Sequence, residues 1–75
     1  MNIGNWPAAE PEDLAVLVQE RMIGRCHVND LQILVESGGI ILRGAASTYY
    51  AKQVAQQVVM ELTTLPIRAN EIQVH

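Results

Sequence analysis

The sequence predicts a small α+β domain of order αββαβ, with a three-stranded mixed sheet and two helices packed on one face of it. Three observations carry the prediction. Leu31 to Gly44 alternates apolar and polar residues on both sides of Gly38-Gly39, the pattern of a β-hairpin. Two segments, one beginning near Leu14 and one near Ala51, repeat apolar residues at helical spacing. After Pro66 the chain alternates again from Ile67 to Val74. A strand, a helix and a strand in one sheet form a right-handed crossover. The second and third strands are therefore expected to be parallel, with both helices on the same face.

Met1 to Glu10 has no apolar period and contains Gly4, Asn5 and Pro7, so residues 1–10 read as a loose arm and 11–75 as the domain. Trp6 in this arm is expected to fold back over a core edge or stay disordered rather than stack on a ligand. Pro11, Glu12 and Asp13 suit a helix start, where proline's fixed φ and negative charge are both accommodated. The helix is expected to reach about Ile23, to bury Leu14, Leu17, Val18 and Met22, to leave Val16 and Ile23 outside, and to end at Gly24. Arg25 to Asp30 reads as a polar connection.

In the hairpin, a Gly38-Gly39 loop sets Ser37 opposite Ile40, Val35 opposite Leu42 and Ile33 opposite Gly44. Leu31, Ile33, Val35, Ile40 and Leu42 then share the inner face. Gln32, Leu34, Glu36, Ile41 and Arg43 take the outer one, where Leu34 and Ile41 are apolar exceptions and diagonal neighbours. Ser47 or Thr48 is the expected N-cap of the second helix, which buries Ala51, Val54, Ala55, Val58 and Leu62 and runs to about Thr63. Tyr50 is expected at the core edge and Tyr49 outside it. Lys52, Gln53, Gln56, Gln57 and Glu61 make a solvent face too poor in cations for a helix lying on a membrane. In the last strand Asn70, Ile72 and Val74 share one parity, and Ala69, Glu71 and Gln73 the other.

With 75 residues, 49% of them hydrophobic and none of them Phe, the core is small and aliphatic, and a deep enclosed active site is not expected. Eight acidic against five basic residues leave a net charge of −3, which argues against nucleic acid or anionic lipid as a general partner. Cys26 is the single cysteine, so no intrachain disulfide forms. The first residues lack the basic start and apolar stretch of a secretory signal, and a reduced, cytoplasmic setting is the expectation.

The chemistry-bearing residues do not assemble into a motif. Cys26, His27, Asp30 and His75 lack metal-ligand spacing, and adjacent Cys26 and His27 diverge with no third group to orient a base. Glu36 and Glu71 fall on outward parities, without the burial that would tune an acid and base pair. No enzyme activity, cofactor or metal is therefore expected. The element order resembles one arrangement of the KH nucleic-acid fold, but the Gly-x-x-Gly clamp is missing, and Arg21, Arg25, Arg43, Lys52 and Arg68 are scattered along the chain without a run. Arg21, Arg25 and His27 read as cations complementing a helix C-terminus rather than as an anion site.

Ile33-x-Val35 leading to Gly38, then Ile40-x-Leu42-x-Gly44, the alanine-bearing second helix and the Asn70-x-Ile72-x-Val74 ending together resemble the BON domain, the bacterial osmotic-shock and nodulation module, in its short stand-alone form. The resemblance covers Leu14 to Val74. It implies a non-catalytic bacterial binding domain that attaches to phospholipid or mediates assembly. Two functional expectations follow. The first is interaction with a protein partner, or with itself as a homo-oligomer, through the sheet face at Leu34, Ile41 and Arg43. The alternative is peripheral attachment to a phospholipid membrane through Arg21, Arg25 and Lys52.

Overall fold

The computed structural model describes residues 11–75; the expected arm and Trp6 lie outside the described residues. The elements are α1 (Pro11–Met22), β1 (Val28–Glu36), β2 (Gly39–Ala46), α2 (Tyr49–Leu62) and β3 (Ile67–Val74). The sheet order is β1-β2-β3, with β1 antiparallel and β3 parallel to the central β2. The predicted α+β class and αββαβ order are those observed.

The core lies between one sheet face and the two helices. Val28, Ile33, Ile40, Leu42, Ala46 and Ile72 project from the sheet, meeting Leu14, Val18 and Met22 of α1 and Ala51, Val54, Ala55, Val58 and Val59 of α2. Among the described residues no polar or charged side chain is buried. The small side chains of α2 let it lie close to the sheet. Thr48 caps its start, the hydroxyl accepting from the Ala51 N–H at 3.1 Å. Gly24 closes α1, and the N–H groups of Arg25 and Cys26 both return to the Met22 carbonyl, at 2.9 and 3.1 Å.

Three side chains expected in the core or at its edge are outside it, the first being Val35, which keeps its inward parity but is 46% exposed at the turn end of the edge strand. Leu17 is 40% exposed, because α1 is rolled the other way, towards β1. Its Ala15 packs against the core, and Gln19 Nε2 donates to the Val28 carbonyl at 2.6 Å, which draws in the flank away from Leu17. Tyr50 is 58% exposed because Val59 widens the buried stripe of α2 on the side opposite to it. Leu62 is only partly buried.

The hairpin closes one residue earlier than expected. Ser37 and Gly38 carry the positive φ angles, 52° and 75°, that a two-residue primed turn needs, and Glu36 pairs with Gly39. Gly39 belongs to the strand, where the stem of Arg68 occupies the place of a Cβ and leaves room only for glycine. Moving the loop by one residue slides the pairing by two, so Val35 faces Ile40 and Ile33 faces Leu42 while every side chain keeps its face.

β1 also begins earlier, at Val28, so the segment read as a polar connection is partly strand. A bulge makes this possible: Asn29 pairs with Ala45 and Gln32 with Arg43, leaving Asp30, at φ 55°, and Leu31 against Gly44 alone. The extra residue reverses the alternation and turns Val28 inward, fully buried. Gly44, at φ 150°, is required there, since a Cβ would come within 2.8 Å of Val28 Cγ1 and 2.9 Å of the Asn29 carbonyl oxygen.

Candidate functional site

The face of the sheet turned away from α1 and α2 is built in rows by the two registers. Leu34 pairs with Ile41, and Ile41 with Ala69, making one apolar row across β1, β2 and β3. All three are only partly exposed, because they cover one another. Leu34 and Ile41 are thus directly opposed, not diagonal as the expected loop had them. The next row is Gln32, Arg43 and Glu71, and there Arg43 Nε donates to Glu71 Oε1 at 2.8 Å. With both side chains about half exposed (53% and 47%), this ion pair holds Arg43 in place more than it stabilises the fold.

The expected interaction residues Leu34, Ile41 and Arg43 therefore meet on two adjacent rows. Ala69 and Glu71 complete these rows. Their outward parity is visible in the sequence, but which residues of β2 they face depends on where the crossover sets β3 down.

The residues of the lipid expectation do not converge in this way. Arg21 Nη1 lies 3.8 Å from Glu61 Oε1, joining the two helices. Lys52 precedes Glu61 by nine residues on α2, about 13 Å along the helix at ~1.5 Å per residue. Arg25 is exposed beyond the end of α1.

The two sheet edges differ. On β3, Asn70 Oδ1 accepts from the Ile72 N–H at 3.2 Å, while Asn70 Nδ2 donates to the Lys52 carbonyl at 3.1 Å and to Gln56 Oε1 at 3.2 Å. This side chain both ties β3 to α2 and occupies a strand N–H. On the outer side of β1 an open depression of about 440 Å³ follows Leu31 to Glu36 beneath Ala15. A second, of about 640 Å³, lies beside α1 and is lined by Val16, Ile23, Cys26 and His27 among others.

Cys26 and His27 thus share a wall, but among the described residues no three His, Cys, Asp or Glu side chains approach closely enough to hold a metal ion. Glu36 and Glu71 are exposed and sit on opposite edge strands, and Glu71 is engaged by Arg43. The Tyr49 hydroxyl accepts from Gln53 Nε2 at 2.7 Å on the surface of α2. No helix among the described residues is long and apolar enough to cross a membrane. No family model, curated protein or solved structure matches the chain.

Proposed function

We propose that this chain is a non-enzymatic binding module of BON type that engages a protein, a partner or a second copy of itself, through the sheet face opposite its helices. The observation that carries the reading is the Leu34–Ile41–Ala69 row, an apolar strip on the uncovered layer of a two-layer domain, bordered by the fixed Arg43–Glu71 pair. A strip of this kind, with a polar border, is suited to a protein surface. The element order and the hairpin glycines support the BON reading.

Attachment to phospholipid needs a basic contact from Arg21, Arg25 and Lys52. The pairing of Arg21 with Glu61, the distant placement of Lys52 and the net charge of −3 weigh against it. The same charge and the scattered cations weigh against nucleic acid.

Site-specific photo-crosslinking tests the reading. A photoreactive side chain at Ile41 is expected to yield protein adducts in cells, and one at Gln57 on the outer surface of α2 is not. Equal adduct formation at both positions contradicts the assignment.

A further inference from the structure

We propose that the free edge of β1 pairs antiparallel with β1 of a second copy, in one register that sets Leu34 opposite Leu34, to give a continuous six-stranded sheet. The inference rests on the protein-binding reading above and names the partner as the chain itself.

The backbone supplies the first argument. The Ser37-Gly38 turn makes Glu36 and Gly39 a hydrogen-bonded pair, so Leu34 and Gln32 also bond towards β2. The N–H and C=O groups of Ile33 and Val35 then point away from β2, where no strand among the described residues meets them. On the opposite edge of the sheet Asn70 already holds the Ile72 N–H. Among the described residues the outward groups of β1 meet no such partner, and an open depression runs along Leu31 to Glu36 beside Ala15.

The side chains select the register. With Leu34 opposite Leu34, Gln32 of each copy faces Glu36 of the other, an amide beside a carboxylate. Arg43 and Glu71 continue that row on the far side of Gln32. Ile33 faces Val35 of the second copy, so the outward backbone groups of both are paired. Val35 belongs to the helix side of the sheet yet is 46% exposed, and the second copy covers it. Sliding two residues one way sets Glu36 against Asp30 and Gln32 against Leu34. Sliding two the other way sets Leu34 against Glu36 and leaves Val35 facing only itself. In the selected register the apolar rows of the two copies also merge into one, running Ala69, Ile41, Leu34 and back.

The test is sedimentation velocity over a concentration series, with variants that address the edge and the face separately. The parent, 8.3 kDa as a monomer, is expected to reach twice that mass at the upper concentrations. Val35→Pro removes an outward N–H that β2 does not use, and is expected to stay monomeric with a parent-like circular dichroism spectrum. Gln32→Glu is expected to weaken the dimer by about tenfold, since the new carboxylate meets Glu36 twice across the two-fold axis, and adding Glu36→Lys is expected to restore it.

In a Cys26→Ser background, Leu34→Cys is expected to form an intermolecular disulfide on treatment with diamide. The opposed Cα atoms of such a pair lie about 4.5 Å apart, within disulfide reach. Val35→Cys is not expected to do so, its two copies being two residues out of step and roughly 8 Å or more apart. A parent monomeric throughout gives the edge to another occupant and overturns the inference. So does a dimer indifferent to Val35→Pro, or one bridged through Val35→Cys instead of Leu34→Cys. A dimer split by Ile41→Lys but not by Val35→Pro overturns the edge pairing and leaves the face reading standing. A dimer split only by Val35→Pro, together with adducts formed equally at Ile41 and Gln57, does the reverse.

Discussion

Leu34 stands directly across β1 and β2 from Ile41, on the face that neither α1 nor α2 covers. Scattered apolar side chains on a protein surface need no explanation; two in register, extended by Ala69 on the third strand, form a strip. The strip exists because the inner face is filled by the intervening residues, Ile33, Ile40 and Leu42, so its position is tied to the hairpin register that builds the core.

That register is tested from the inside by Ile33, which is 3% exposed beneath the helices. Ile33→Asn is expected to cost about 3 kcal/mol, from an unpartnered amide and lost aliphatic packing, a large share of the stability of so small a domain. Urea denaturation of the two proteins measures it, and a variant as stable as its parent would contradict the register.

Two glycines should separate backbone strain from close approach. Gly24→Ala is expected to cost about 1 kcal/mol, because its φ of 83° is unfavourable to alanine but its surroundings are open. Gly44→Ala is expected to cost more, about 2 kcal/mol or above, because a Cβ there also runs into Val28 and the backbone of Asn29. Equal losses in thermal melts would mean that the bulge at Asp30 and Leu31 is not held as described.

Asn70 should be more sensitive to charge than to size. Asn70→Ala loses the bonds to the Ile72 N–H, the Lys52 carbonyl and Gln56, and is expected to cost about 1–2 kcal/mol. Asn70→Asp keeps an acceptor for Ile72 but sets a carboxylate against the Lys52 carbonyl, and should be no more stable than the alanine variant. Denaturant midpoints of the two variants check the order.

The hairpin shows how far the sequence could be read. Which face Ile33, Ile40 and Leu42 share follows from alternation alone, and a loop misplaced by one residue does not disturb it. The demand for glycine at position 39 within the strand comes from Arg68, whose stem fills the space of a Cβ there from nearly thirty residues away, and no local pattern carries that information. The bulge at Asp30 is equally silent, because its requirement is space at Gly44 on the next strand. Leu17 lies outside because helical spacing shows which residues share a stripe but not where the stripe is centred, and α1 turns Ala15 and Gln19 towards the sheet instead. For the candidate face, the anomaly of Leu34 and Ile41 was legible from parity. Their direct opposition, and the additions of Ala69 and Glu71, depended on the registers.

Binding to lipid should be weak. In flotation with anionic liposomes at physiological salt the chain is expected to remain in the soluble fraction, since a protein of net charge −3 is repelled by such a surface and its cations do not form one patch. Robust co-flotation abolished by Arg21→Glu with Arg25→Glu would replace the protein-binding account with the lipid one.

The central claim is that the chain works through the sheet face opposite its helices, and Ile41→Lys addresses it most directly because Ile41 lies at the middle of the apolar row and outside the buried core. The deciding measurement is size-exclusion chromatography of the tagged chain in extracts of its own cells, parent and variant side by side. The account predicts that the parent elutes in a species larger than an edge-paired dimer of the tagged chain and that the Ile41→Lys chain elutes no larger than that dimer, with an unchanged circular dichroism spectrum. A parent that elutes as a monomer, or a variant that co-elutes with the parent in the larger species, would contradict it.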